Sequence, residues 1–581
     1  MIQQLSWKIG GQQGEGIESS GELLAMGLCR QGYHLYGYRV FSSRIRGGHT
    51  DYNLRISSTA VASIANHVDV LIALDQETIG LCAGELSKGG LLFADEHFAP
   101  VLPEGSGAKL LVAPLTMLAT QAGNGKMKNV VALGVTVSLL GLNPSLWENA
   151  LKEEFESKGE AVLKANLAAL QVGWEYAGNH WPELRDTYKM NGGDGIQRLY
   201  MIGNEAISQG AIAAGVLFVA AYPITPASEI MEAMVERLPK LGGSMVQTED
   251  EIAACMMTIG ANYAGVRAFT STSGPGLSLM AESIGLAGMT ETPLVVIDVQ
   301  RGGPSTGLPT KHEQSDIMAA IYSTHGEVPK IVMAPDSISA AYRDTAEAFN
   351  LADEYQCPVI LLSDMQLSLG NQSVDPLPEK AEGKRRGNLK SEAELPELPK
   401  NQYFKRYQIT PDGVSPRIIP GTRNGIHHVS GLEHDETGRP FEGAPNRKAQ
   451  MDKRLRKLST VSDRFPEPLR IDAITEKPRL LIIGVGASGG PIAEAVAELR
   501  QQGTDVNHVQ IRLLHPFPAE KLGPLMVGAE KIVVVEHNAT AQLASLIRMN
   551  NHFPVKIYSV LKYDGNPFRP EEIVMGCKEV L

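Results

Sequence analysis

The sequence predicts an α/β protein, with three doubly wound, parallel-sheet-type domains and a long linker. Three observations carry that reading. Short β-rich runs alternate with Ala/Gly-rich helical runs along most of the chain. Some of the β-rich runs, such as VDVLIAL (68–74) and GLLFAD (90–95), are continuously apolar, as strands buried on both faces are. Near the start and again near the end, a strand runs through a Gly-rich loop into a helix: SWKIG, GQQGEGIESSG, ELLAMGLCRQG, and later RLLIIGVGASGG.

The elements then fall in order. The first domain spans 1–185 and closes in a polar stretch, NHWPELRDTYKMNGGDG (179–195), that reads as a connector. The second spans 196–375. It opens at LYMIGNEAISQGAIAAG and continues through VRAFTSTSG, TPLVVIDVQ, KIVMAP and CPVILLSD. Residues 376–470 are rich in Pro and charge and lack periodicity, so they read as an extended linker, partly pinned by YFKRYQI and VSPRIIPG. A last α/β unit occupies 471–581.

Composition narrows the function. The chain has 581 residues, 43% of them apolar, and a net charge of −12. That balance argues against a nucleic-acid-binding face and against an anionic membrane surface. The longest apolar run, VVALGVTVSLLGL (130–142), is too short to cross a bilayer and reads as a buried helix. The N-terminus enters a strand without signal-peptide architecture, so a cytoplasmic protein is expected. Cys29, Cys82, Cys255, Cys357 and Cys577 are scattered and form no CxxC. Neither a disulfide framework nor an iron–sulfur cluster held by this chain alone is expected.

Two glycine motifs lose their obvious meaning on inspection. Gly484, Gly486 and Gly489 spell GxGxxG, but the following strand, HVQIRLLHPF, ends without the acid that would bind a ribose. A tight strand–helix turn is the better reading. Gly193-Asp194-Gly195 would begin a Mg²⁺–diphosphate motif, but the stretch where the Asn ligand should follow is AAYPITPAS. GGQQGEG (10–16) is different. It precedes a helix, and Phe41-Ser42-Ser43-Arg44-Ile45-Arg46-Gly47-Gly48-His49 adds hydroxyls, guanidinium groups and free amides, which is phosphate-site chemistry. An interface role for the arginines is the rival.

Three segments of the second domain belong together. In Tyr222-Pro223-Ile224-Thr225-Pro226-Ala227-Ser228, two prolines stiffen a loop expected between helices. Glu249-Asp250-Glu251 opens a helix, where acids complementing the dipole would be the bland explanation. A strand then runs into Thr272-Ser273-Gly274-Pro275-Gly276, a small-residue turn suited to close approach of a flat ligand.

Together they resemble a known pattern. Glu251-x-Ala253-Ala254, Gly260 nine residues after the Glu, Tyr263-Ala264, and Thr-Ser-Gly-Pro-Gly are similar to the pyrimidine-binding domain of thiamine-diphosphate enzymes. YPITPAS and GNEAISQGA narrow the resemblance to the 2-oxoacid:ferredoxin oxidoreductases. GGQQGEG and SSRIRGGH resemble that family's gamma domain, and 471–581 its transketolase C-terminal-like domain.

The resemblance implies roles. Glu251 would hydrogen-bond N1′ of the aminopyrimidine, with Tyr222, Pro223, Ile224 and Ser273 on the same side of the cofactor. Thr225, Arg301 and Thr310 would bind the 2-oxo acid, with Lys311 and His312 available to a second carboxylate. Ser42, Ser43, Arg44 and Arg46 would contact coenzyme A. No metal ligand is assigned to this chain. Mg²⁺, the diphosphate and a [4Fe-4S] cluster would belong to a beta subunit, in a heterodimer or dimer of heterodimers that passes electrons to ferredoxin. The fused gamma–alpha order favours 2-oxoglutarate; pyruvate, a branched-chain 2-oxo acid, NAD-dependent dehydrogenation and a non-catalytic scaffold are the alternatives.

Overall fold

The computed structural model describes residues 1–41, 48–378, 383–551 and 555–581, and the chain divides into two compact units. The first contains Met1–Ile202, Leu369–Pro376 and Arg569–Glu571; the second contains most of the rest. The α/β architecture expected from the sequence is present in both.

The first unit is built on an eight-stranded sheet. Lys109–Ala113, Leu86–Asp95, Val68–Ala73 and Gln4–Gln12 run parallel; His49–Ser57, His34–Val40, Asn371–Val374 and Leu199–Ile202 continue it antiparallel. The parallel pattern therefore holds for only half of this sheet. The short link between His34–Val40 and His49–Ser57 explains why, since a parallel pair needs a longer crossover. Leu199–Ile202 and Asn371–Val374, read from sequence as the ends of the second domain, are the last two strands here. The polar connector also contains a helix, Pro182–Tyr188, with Pro at its first turn and Leu184 buried in the core. The apolar run 130–142 is largely the buried helix Lys128–Leu139, as expected.

The second unit holds two sheets. One has the strand order Leu513–His515, Ile331–Met333, Pro358–Asp364, Leu294–Gln300, Ala268–Thr272, Phe218–Ala221, Ser244–Gln247. It is parallel except for Leu513–His515, which comes from the C-terminal part of the chain. The other contains Leu480–Val485, Val506–Ile511, Lys531–Glu536 and Ile557–Leu561 in parallel, with Leu469–Asp472 antiparallel at one edge. One apolar core contains residues of both, from Leu294, Val296 and Ile360 to Val509, Ile511 and Val534.

Residues 383–470 carry little regular structure beyond the helix Ala444–Arg456, yet they are not a solvated tether. Glu291, fully buried, accepts hydrogen bonds from Lys453 Nζ at 2.5 Å and Lys457 Nζ at 2.6 Å. Asp353 accepts from Arg267 at 2.9 Å and from Arg417 at 2.6 Å. Burial pulls Lys453 down to about 8, and the two ammonium groups hold Glu291 below the carboxylate range against its own burial.

Candidate active site

Sheet topology places the site. Phe218–Ala221 lies between Ser244–Gln247, to which the chain proceeds next, and Ala268–Thr272, from which it moves away in the opposite direction to Leu294–Gln300. The loops after Phe218–Ala221 and Ala268–Thr272 therefore diverge at the carboxyl ends of adjacent strands. That is a topological switch point, where open α/β sheets bind ligands. These loops are YPITPA and SGPG. The first follows a strand rather than a helix, which corrects the sequence reading.

The three acids at the start of the helix Glu251–Tyr263 divide their work. Asp250 is the N-cap and accepts from Ala253 N–H at 2.7 Å. Glu249 and Asp250 are exposed, while Glu251 is only 6% exposed. Its carboxylate reaches the glycine turn: a Cβ on Gly276 would sit 2.7 Å from Glu251 Oε1 and collide with Thr272 Oγ1. Thr270 Oγ1 and Ser273 Oγ are buried there without hydrogen-bond partners among the described residues, and Ser273 does not cap the helix it precedes. An inward carboxylate, an unengaged hydroxyl and a turn closed to any side chain fit the edge of a flat heteroaromatic ring.

Arg301 follows the strand Leu294–Gln300 and is 8% exposed. Its Nη1 donates to Thr225 O at 2.6 Å, so the structure brings these two predicted residues together. Tyr222 is exposed, and Pro223, Ile224 and Thr225 are half-buried on the same loop. Beside them lies a cleft of about 730 Å³ lined by Gly274, Pro275, Arg301, Asp316, Asn538 and Tyr563, among others. Thr310 is half-buried on the loop that returns from Arg301. Lys311 packs across Gly565, and its backbone carbonyl accepts from Gly302 N–H. His312 is buried, accepts at Nδ1 from Gln366 N–H at 3.3 Å, and meets the His537 ring at 4.2 Å. Burial pulls its pKa down, so it makes a poor cation for a second carboxylate.

The glycine motifs resolve as turns. Gly486 has φ +55°, and Asp364 Oδ2 accepts from Gln314 Nε2 and from Ala487 N–H, both at 2.9 Å. A side-chain carboxylate already occupies the amide-lined turn that a dinucleotide phosphate would need, which removes the NAD reading. Asp194 accepts from Ile196 N–H at 2.9 Å and pairs with Arg198 at 2.6 Å, a local turn and no metal site. In GGQQGEG, Glu15 pairs with Lys128 at 2.9 Å, and Asn129 Nδ2 donates to Gly16 O at 3.2 Å. Ser42, Ser43, Arg44 and Arg46 lie outside the described residues.

All five cysteines are free and buried, and burial pushes each thiol up to about 12. Cys82, His49 and Asp51 come within 4.8 Å of one another, but Lys8 Nζ stands 3.5 Å from Asp51 and 2.8 Å from Glu85 and already neutralises that cluster. Sequence reasoning missed Asp298 and Asp316 near the cleft. Asp298 had a signal: it is a lone acid inside the apolar strand LVVIDVQ.

Comparison with known proteins agrees with this geometry. The family profile described as "Pyruvate flavodoxin/ferredoxin oxidoreductase, thiamine diP-bdg" matches residues 209–453. "Pyruvate ferredoxin/flavodoxin oxidoreductase" matches 6–176, and "Pyruvate:ferredoxin oxidoreductase core domain II" matches 479–573. The alpha subunit of a 2-oxoacid:ferredoxin oxidoreductase from Saccharolobus solfataricus is 33% identical, with 99% of this chain and 98% of that protein covered. This chain belongs to the 2-oxoacid:ferredoxin oxidoreductase family.

As a member, it is a subunit of a thiamine-diphosphate-binding oxidoreductase. A 2-oxoglutarate oxidoreductase subunit of Mycobacterium tuberculosis is 32% identical over 97% of this chain and 90% of its own. A solved 2-oxoglutarate:ferredoxin oxidoreductase from Magnetococcus marinus, with 2-oxoglutarate, coenzyme A and succinyl-CoA bound, superposes at TM-score 0.92. It is 35% identical and covers 100% of both chains. The thiamine-binding profile runs on to residue 453, so much of the region read as a linker belongs to that domain family. Among the described residues, no helix is long and apolar enough to cross a membrane.

Proposed function

We propose that this chain forms the pyrimidine-side half of an enzyme that converts a 2-oxo acid, coenzyme A and two oxidised ferredoxins to acyl-CoA, CO₂, two reduced ferredoxins and a proton. The same site permits the reverse carboxylation. The observation that carries the reading is the buried Glu251 carboxylate against the glycine turn, with Arg301 held to the Thr225 loop beside it. Thiamine diphosphate, when bound, supplies the electron sink for loss of the carboxyl group. Glu251 holds a proton at N1′ of its aminopyrimidine, and Tyr222, Pro223, Ile224 and Ser273 shape that side of its site. Arg301 grips the carboxylate of the 2-oxo acid through its planar fork, and Thr225 and Thr310 orient the rest. Lys311 is the cation available to a second carboxylate.

The remaining parts are assigned to a beta partner. This chain has no Gly-Asp-Gly…Asn set for Mg²⁺ and the diphosphate, and its five cysteines are dispersed, so the partner carries them together with a [4Fe-4S] cluster. The assembly is a heterodimer or a dimer of heterodimers that reduces ferredoxin, and it is cytoplasmic. Coenzyme A lies against Ser42, Ser43, Arg44 and Arg46. In support of 2-oxoglutarate stand the fused first domain and the ligands of the Magnetococcus enzyme. Pyruvate and branched-chain acids are the second reading.

The test is a side-by-side assay of the complex with 2-oxoglutarate and pyruvate. A higher kcat/KM for 2-oxoglutarate is expected, and a preference for pyruvate overturns the substrate assignment. For coenzyme A, Arg46→Ala is expected to raise its KM in a complex of unchanged size. A complex that dissociates while keeping its coenzyme A affinity would make Arg46 an interface residue.

A further inference from the structure

The cleft beside Arg301 contains more acid than a site for an anion should. Asp316 lines it, as do Glu313 and Tyr563. Asp298 lies nearby on the strand Leu294–Gln300, fully buried, with neither carboxyl oxygen hydrogen-bonded among the described residues. Asp316 Oδ2 is buried and unpartnered as well, and so is Arg301 Nε. Other buried acids of this unit have partners, Glu291 and Asp353 in lysine and arginine, Asp364 and Glu536 in amide N–H groups, so these two call for another account.

The backbone that carries Asp316 is fixed. Its N–H donates to Gln300 Oε1 at 3.0 Å, and Gln542 Nε2 donates to Ser315 O at 2.8 Å. A Cβ on Gly274 would stand 2.8 Å from both carboxylate oxygens, so Asp316 presses on the backbone of the same turn that Glu251 reaches from Gly276. Its charged and titratable surroundings are few. Asp298 faces it from the strand and Glu313 from its own loop, with Arg301 as the cation. Glu251 lies across the turn, and Tyr563 comes from the C-terminal part of the chain, beside neutral Asn538 and Gln542.

We propose that when the carboxylate of a 2-oxo acid binds Arg301 in this cleft, Asp316, which lines the same cleft, takes up a proton. The inference rests on the reading of Arg301 as the carboxylate-binding residue. Two carboxylates in so dry a place do not both ionise. Burial, and then the charge of Asp316, raises Asp298 well above the ordinary carboxylate range, which favours its protonated form. Burial, and then Glu313, raises Asp316 to about 6, against the pull of Arg301. Asp316 is therefore mostly ionised at neutral pH and easily discharged. A second anion on Arg301 raises it further and draws a proton from solvent; no bond to substrate forms or breaks. Asp316 acts through Arg301 and is a positioning residue.

The sign follows from linkage. Binding that takes up a proton weakens as pH rises above the Asp316 value, by at most about tenfold per pH unit, while the substrate stays fully ionised throughout. The test is KM for the 2-oxo acid from pH 5.5 to 8 in the assembled enzyme, for wild type, Asp316→Asn and Asp316→Glu. Wild-type KM is expected to be flat below about pH 6 and to rise above it. Asp316→Asn should remove the rise, lowering KM at pH 8 by up to about a hundredfold, and Asp316→Glu should restore a slope. A wild-type KM independent of pH overturns the proposal without any variant, and so does an unchanged slope in Asp316→Asn. Arg301→Ala separates the two readings: if KM does not rise, the carboxylate assignment itself fails. If KM rises but Asp316→Asn keeps the wild-type slope, only the proton uptake by Asp316 fails.

Discussion

Two sets of buried carboxylates in the second unit behave in opposite ways. Glu291 and Asp353, which tie down the irregular 383–470 segment, meet lysine or arginine donors at 2.5 to 2.9 Å on each oxygen. Asp298 at the cleft meets none among the described residues, and Asp316 leaves one oxygen unpartnered. What differs is whether the chain supplies the counter-charge itself. Closed pairs fix a segment that has no periodicity to fold it, whereas an open carboxyl group is left to bind a proton.

The largest effect that would break this contrast is structural. Glu291→Ala strands two buried ammonium groups, and a loss of about 3–5 kcal/mol in unfolding free energy is expected. Denaturant unfolding measures it, and an unchanged midpoint would mean that the pairs do not hold the segment. Next in size, Arg301→Ala is expected to raise KM for every 2-oxo acid by roughly 10–150-fold, the equivalent of about 1.5–3 kcal/mol for a charge-assisted hydrogen bond. If only dicarboxylic substrates suffer, Arg301 selects among substrates instead of binding their common group. The smallest effect sharpens the contrast most. Asp298→Asn keeps the shape of a side chain that has no ion-pair partner among the described residues, so stability should change by less than about 1 kcal/mol, in clear distinction from Glu291→Ala. A loss as large as that of Glu291→Ala would show that Asp298 is paired after all.

Much of this was legible in the sequence, for identifiable reasons. Buried parallel strands such as Val68–Ala73 and Pro358–Asp364 are continuous apolar runs, and nothing competes with that signal. Glu251 stood out through its spacing to Gly260, and it is buried where Glu249 is exposed. Long-range pairing was not legible. Nothing local in LYMI or NQSV shows that these strands finish the first sheet, because strand partners are chosen by packing and not by propensity. The 383–470 segment hid for a related reason. Its lysines and arginines look solvated until Glu291 and Asp353, far away in sequence, are found beneath them. Asp364 was equally hidden: GxGxxG gives no hint that the anion in its turn comes from a strand over a hundred residues earlier.

The account stands on Glu251, and the most direct test is proton exchange at C2 of thiamine diphosphate bound to the assembled enzyme, by quenched-flow deuterium labelling. Glu251→Gln should bind the cofactor and keep its subunits and unfolding midpoint, yet exchange slower by about 10²–10⁴-fold, the range for loss of a positioned acid–base group. Exchange at the wild-type rate in that variant would contradict the account.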